Sequence, residues 1–179
     1  MSPPGCQKAY SLFELLMTLA LAAIVFGLGL PSLGALVADQ RLRAETDALF
    51  HAIHRARQES IVRRRVVTIC ASRDGRACDP DADWSAGWIV FANRDRAALG
   101  ERRDDETLIQ AHAADDTVLL QSNRASFSFR STHERATNGT VIVCDRRGRA
   151  VARAVVVSYT GRPRVARADS RGQPYACAH

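Results

Sequence analysis

The sequence predicts an α+β chain: a long N-terminal α-helix, apolar in its first half and amphipathic in its second, packed on a C-terminal antiparallel β-sheet domain. Three observations carry this. Residues 15–38 contain no charged side chain, and at about 1.5 Å rise per residue that is enough helix to cross a hydrocarbon core. Leu42, Thr46, Leu49, Ile53, Ala56 and Ser60 then recur at helical spacing with Arg, Asp and Glu between them, the pattern of a helix lying on a domain. It stops at Arg63-Arg64-Arg65, where the β-branched run Val66-Val67-Thr68-Ile69 marks a change to sheet.

Within the first helix, Pro31 with Gly27, Gly29 and Gly34 around it predicts a bend or local loosening. Beyond residue 65, strand-like segments follow at 87–92, 107–111, 118–121, 125–130, 140–144 and 151–159. Turn residues such as Asn138-Gly139 and Arg147-Gly148 separate them, and most connections are short enough for antiparallel pairing. Asn138-Gly139-Thr140 also matches a glycosylation acceptor, but Asn-Gly is the preferred type I′ turn and predicts a hairpin between 125–130 and 140–144. The loops at 71–86 and 93–106 are long and charged and are predicted to be the mobile regions.

Glu14 is the anomaly at the head of the apolar run, because an unpaired acid near a membrane interior costs a few kcal/mol and calls for a cationic partner. Its surroundings, Lys-Ala-Tyr-Ser-Leu-Phe-Glu-Leu-Leu-Met-Thr-Leu-Ala-Leu-Ala-Ala-Ile over residues 8–24, resemble the class III signal of type IV pilins and type II secretion pseudopilins. The resemblance implies that a prepilin peptidase cuts between Ala9 and Tyr10 and methylates the new Tyr10 terminus. It also implies that Glu14, as the fifth mature residue, pairs with the terminal amine of a neighbouring subunit during assembly. Ala9 stands where Gly is usual and Tyr10 where Phe is usual, both mild departures. The chain then divides into a leader peptide at 1–9, a transmembrane half-helix at 10–38, an amphipathic half-helix at 39–65 and a periplasmic β domain with a basic tail at 66–179. The expected location is the bacterial inner membrane, single-pass, before assembly into a pilus or pseudopilus.

Composition supports one globular domain after the anchor: 46% of residues are hydrophobic though only 6% are aromatic, which argues against a disordered tail. Cys6 falls in the leader. Cys70, Cys78, Cys144 and Cys177 form an even set in an exported chain, so two disulfides are expected. Of three connectivities the favoured one is Cys70 to Cys78, around Asp74-Gly75, and Cys144 to Cys177, tying the tail to a strand. A zinc site is disfavoured, because no Cys-x-x-Cys spacing exists and the five His residues are scattered. No phosphate loop, nucleophile elbow or metal-ligand spacing is present, so neither an enzymatic role nor a cofactor is expected.

The formal charge is +6, and apart from Lys8 every cation is Arg. Residues 74–116 hold eleven acids and five Arg, whereas residues 145–171 hold eight Arg against Asp145 and Asp169. The sequence therefore reads as an acidic half and a basic end. In the basic end, Gly161-Arg162-Pro163-Arg164 follows the last apolar strand, where Gly and Pro fix the backbone and display two guanidinium forks suited to phosphate oxygens.

Trp84-Ser85-Ala86-Gly87-Trp88-Ile89-Val90-Phe91, residues 138–144, and Val155-Val156-Val157-Ser158-Tyr159-Thr160-Gly161-Arg162-Pro163-Arg164 look like the GspH/FimT branch of minor pilins and pseudopilins. The two Trp are expected in the core. In the FimT branch a similar Gly-Arg-x-Arg motif implies non-specific binding of double-stranded DNA in natural transformation. Arg162 and Arg164 match it directly, Gly161 and Pro163 form its turn, and Arg167 and Arg171 are auxiliary. The alternative is a GspH-like pseudopilin of the type II protein secretion system, partnered by other pseudopilins and without DNA binding.

Overall fold

Leu12–Arg63 form one continuous helix, α1. The computed structural model describes residues 11–81, 83–94, 100–113, 115–131, 135–148 and 150–177, with the side chains of residues 25 and 28–32 also outside the description. The chain divides into two compact units, Met1–Val37 and Ala38–His179.

In the first unit the helix stays unbroken past Pro31, so the expected loosening does not interrupt it. Its described large apolar side chains are exposed, from Leu12 at 75% and Phe13 at 71% to Val37 at 48%. The membrane-crossing helix expected over residues 10–38 is not found among the described residues, where no helix is long and apolar enough to cross a membrane. The charge-free run of the sequence includes residues 25 and 28–32, whose side chains lie outside the description.

The second unit buries what the first exposes. Leu42, Thr46, Leu49, Ile53, Ala56 and Ser60, the six positions at helical spacing, are all buried. The two hydroxyls among them are satisfied within the helix, Thr46 donating to the Leu42 carbonyl at 2.6 Å and Ser60 to the Arg57 carbonyl at 2.7 Å. Helix and sheet meet at Arg64, whose φ of 52° is left-handed without being glycine, the helix-ending conformation that turns the chain into β1.

Eight strands follow: β1 Val66–Ala71, β2 Gly87–Asn93, β3 Leu108–Ala113, β4 Val118–Ser122, β5 Ser126–Phe129, β6 Gly139–Asp145, β7 Arg153–Val157 and β8 Pro163–Ala166. They form two antiparallel four-stranded sheets, β3-β2-β1-β5 and β4-β6-β7-β8. Side chains alternate across each strand. Val67, Ile69, Trp88, Val90 and Phe127 of the first sheet and Val141, Val143, Val155 and Val157 of the second join Leu42, Leu49 and Ile53 of the helix in one core. Both Trp are buried there, as expected.

An ion pair ties the helix to each sheet: Glu45 to His112 on β3 at 2.8 Å, and Asp39 to Arg153 on β7 at 3.1 Å. Each sheet's other face carries a disulfide. Cys70–Cys78 closes over the face with Ile89 and Phe91, and Cys144–Cys177 fastens the tail to β6.

Two local expectations give way to the tertiary arrangement. Asn138-Gly139 is not a hairpin turn, because β5 and β6 lie in different sheets. Gly139 begins β6, and any Cβ there would come within 2.6 Å of Asn123 Oδ1 and 2.9 Å of the Phe127 ring, so glycine is required by close approach. The described residues of the loop at 71–86 are tied by more than the disulfide: Ser72 N–H donates to the Gly87 carbonyl, Asp79 N–H to the Ala71 carbonyl, and Asp74 Oδ1 accepts from Arg76 N–H at 2.7 Å and Ala77 N–H at 2.9 Å. Finally, residues 163–166 are a strand and not only a turn.

Candidate functional site

The β7–β8 connection is short and built by its own hydrogen bonds. Gly161 N–H donates to the Ser158 carbonyl at 2.8 Å, Ser158 N–H to the Arg162 carbonyl at 3.1 Å, and Arg162 N–H to Ser158 Oγ at 3.2 Å. Gly161 has φ of 72° and is buried; a Cβ there would lie 3.1 Å from the Phe129 ring and 3.2 Å from Ala136 Cβ. Any other residue meets both a strained backbone and a tight contact with these two neighbours. Pro163 starts β8, the edge strand of the second sheet, so its missing N–H breaks no ladder bond toward solvent.

This frame holds Arg162 and Arg164 outward. Both are exposed, and among the described residues neither forms an ion pair. Arg164 sits opposite Val156 in the β7–β8 register, and Arg162, two residues earlier, stands in the turn that leads into the strand. The arrangement suits phosphate oxygens, because two fixed forks lose little freedom when they bind.

The auxiliary positions are not gathered with that pair. β8 runs antiparallel to β7, with Ala166 opposite Ala154, so Arg167 leaves the strand at its far end. Arg171 lies beyond it, in a turn where Asp169 Oδ1 accepts from Arg171 N–H at 2.8 Å.

The rest of the basic end is dispersed too. Arg146 and Arg147 occupy the β6–β7 turn at the other end of the second sheet, about 20 Å away along the seven residues of β6. Arg153 points inward to Asp39 and is mostly buried. Partial desolvation pushes the Asp39 carboxyl up, but the Arg153 hydrogen bond and the charges of Arg43 and Arg153 outweigh it and hold it below its usual value. That Arg is committed to the fold.

Glu14 lies in the first turn of α1, exposed, and among the described residues it has no cationic partner. Its N–H donates to Ser11 Oγ at 3.2 Å. Ser11 and Glu14 have the Ser-x-x-Glu spacing of a helix-capping box, and an acid in the first turn favours the helix dipole. Ser11 was the missed residue here, and that spacing was its signal. Ala9 and Tyr10, the expected cleavage pair, lie outside the described residues.

His112, stacked on Trp88 with ring centroids 4.8 Å apart, has its pKa raised above 6.5 by the hydrogen bond that its protonated ring donates to the Glu45 carboxylate, against the opposing effect of partial burial. It links helix and sheet. Among the described residues no group of three His, Cys, Asp or Glu is placed to hold a metal ion.

Residues 45–161, more than half of the chain, match the family model described as type II transport protein GspH. Among solved structures the chain is similar to the type IV minor pilin FimU of Pseudomonas aeruginosa strain PAO1 in two crystal forms. One gives a TM-score of 0.54 at 17% identity, covering 78% of this chain and 97% of that one; the other gives 0.52 at 19%, covering 78% and 99%. At such identity the likeness speaks for the fold. No curated protein matches the chain. A long helix on two antiparallel sheets, joined to the family match, identifies the chain as a member of the GspH/FimT family of minor pilins and pseudopilins.

Proposed function

We propose that the chain is a FimT-like minor pilin, a structural subunit that joins a type IV pilus and contacts double-stranded DNA through Arg162 and Arg164. The observation that carries this reading is the turn: two exposed guanidiniums that no acid among the described residues pairs, on a backbone fixed by a buried left-handed Gly161 and by Pro163. Phosphate contacts of this kind give affinity without sequence preference. Arg167 and Arg171, at the far end of β8, contribute less.

Assembly follows the N-terminal signal. Prepilin peptidase cuts between Ala9 and Tyr10 and methylates Tyr10, residues 15–38 hold the unassembled subunit in the inner membrane, and the domain lies in the periplasm. What supports anchoring is the charge-free run in the sequence; what supports an oxidising compartment is the pair of disulfides. Glu14, unpaired among the described residues, takes the terminal amine of a neighbouring subunit as its partner.

Full-length protein in detergent is expected to bind duplex DNA with affinity falling steeply between 50 and 200 mM salt. Changing Arg162 and Arg164 together to Gln removes most of that affinity and lowers the salt slope by about 2. Undiminished binding by that double variant sinks the role of the turn. Glu14→Ala is expected to be inserted but to stay out of the filament, and normal incorporation would refute the pairing.

The family description itself, type II transport, favours one second reading, a GspH-like pseudopilin whose partners are other pseudopilins. Absence of salt-sensitive DNA binding by the wild-type chain supports it.

A further inference from the structure

The turn that presents Arg162 is not isolated. In the first sheet Val67 pairs with Phe129, so Val66 and Arg65 continue past the same strand end as Arg130. Gly161 packs on that same Phe129, and on Ala136. The Ala136 N–H donates to the Tyr159 carbonyl at 3.0 Å, and Arg130 Nη1 donates to the Arg135 carbonyl at 3.0 Å. The Arg135 guanidinium lies over the Tyr159 ring at 6.0 Å, within reach of a cation–π contact that holds it in place. Three connections from both sheets therefore converge: the α1–β1 junction with Arg65, the β5–β6 connection with Arg135, and the β7–β8 turn with Tyr159 and Arg162.

Charge separates the members of this end. Arg63 and Arg94, which with Arg65 line a cleft of about 300 Å³, are engaged by Glu59 and Asp105. Arg65 and Arg135 are exposed, and among the described residues neither forms an ion pair. Among the described residues they are, with Arg64 at the same junction, exposed cations of this end without an ion pair.

We infer that the phosphate-binding surface is this whole end of the two-sheet domain, with Arg65 and Arg135 as further backbone contacts beside Arg162 and Arg164. Tyr159 orients Arg135, and Arg146 and Arg147, at the opposite end of the second sheet, take no part. A duplex presents phosphates continuously along its backbone, so cations drawn from several loops can be engaged together where a single turn offers two. This inference rests on the DNA reading above.

The test is fluorescence anisotropy of a labelled duplex of random sequence against the full-length protein in detergent, across a salt series, with melting curves as a fold control. Arg65→Gln with Arg135→Gln is expected to weaken binding about tenfold and to lower the slope of log affinity on log salt by about 2, since each phosphate contact contributes roughly 0.9. Arg146→Gln with Arg147→Gln is expected to change neither. Tyr159→Ala is expected to weaken binding about twofold to threefold at unchanged fold, through the loosened Arg135. If Arg65 and Arg135 can be changed without effect while Arg162 and Arg164 cannot, the extended surface is wrong and the turn stands. Equal losses from both distal and proximal pairs overturn the inference in favour of diffuse charge attraction. A wild-type chain that does not bind duplex at all removes the DNA reading and this inference with it.

Discussion

The two halves of α1 obey opposite rules although one helix contains both. In the first, large apolar side chains stand exposed, Phe13 and Phe26 among them; in the second, Leu42, Leu49 and Ile53 are fully buried. The first half is apolar without a face, so no part of this chain has to cover it, whereas the second alternates apolar and charged positions and has a single face for the sheets. The contrast teaches that one helix can carry two different surfaces in succession along its length. Its second half completes the domain core, whereas the large apolar side chains described in its first half stay exposed.

Breaking this contrast gives the largest expected effects. Ile53→Asp places an unpaired charge in the core and is expected to abolish cooperative unfolding of the domain, a loss above about 4 kcal/mol. Leu19→Asp is expected to leave the domain's melting curve unchanged while reducing recovery of the chain with membranes. A fall in the melting midpoint equal to that of Ile53→Asp would show that the first half is part of the domain core after all.

The disulfides come next. Each clips a loop or tail to an outer sheet face, but their loops span 33 and 8 residues. Loop-closure entropy assigns about 4 kcal/mol to Cys144–Cys177 and about 2.5 kcal/mol to Cys70–Cys78. Denaturant titration of the paired Cys→Ser variants checks the order, and non-reducing peptide mapping checks that none of the four thiols is free.

A smaller effect is set by pH. The His112 pKa is raised in the folded state by Glu45, so its contribution is fully present below 6.5 and is lost as pH rises through the raised value. Glu45→Gln is expected to cost about 1 kcal/mol at pH 6 and little at pH 9; a penalty that grows with pH would reverse the assignment. The carboxyls of Asp74 and Asp115 are held below 3.8, Asp74 by the Ala77 and Arg76 N–H groups and Asp115 by the Thr117 hydroxyl and N–H. Their contributions are present at neutral pH and are lost as pH falls below 3.8.

The smallest effect belongs to the junction between helix and sheet. Arg64→Gly relieves the left-handed strain and is expected to stabilise the domain by at most about 1 kcal/mol, read as a small rise in the melting midpoint.

Much of the fold was legible because its signals are local. The buried stripe of α1, the start of β1 and the Arg147-Gly148 turn, where Gly148 has φ of 66°, each follow from a few neighbouring residues. β8 was missed because Pro163-Arg164-Val165-Ala166 has no alternating apolar pattern; it is a strand because β7 offers it an edge. Asn138-Gly139 misled for the converse reason, a strong local turn signal at a point where the chain passes from one sheet to the other.

The charge map shows the same division. The eight Arg of residues 145–171 form one basic end in the sequence, yet in the domain Arg153 turns inward to Asp39, Arg146 and Arg147 go to one end of the sheet, and Arg162 to the other. Arg65 and Arg135, distant in the chain, come to the same end of the domain as the turn of Arg162 through the β1–β5 register and the approach of Gly161 to Phe129 and Ala136.

By itself the sequence determined the helix and the strands that carry an apolar pattern, which helix face is buried, and which residues can carry a processing signal, an assembly contact or a phosphate contact, since these depend on residue type and spacing. Only the tertiary structure decided how strands divide between two sheets and which arginines share a surface. Antiparallel pairing can bring residues far apart in the chain to within a few ångströms, and no local pattern records that distance.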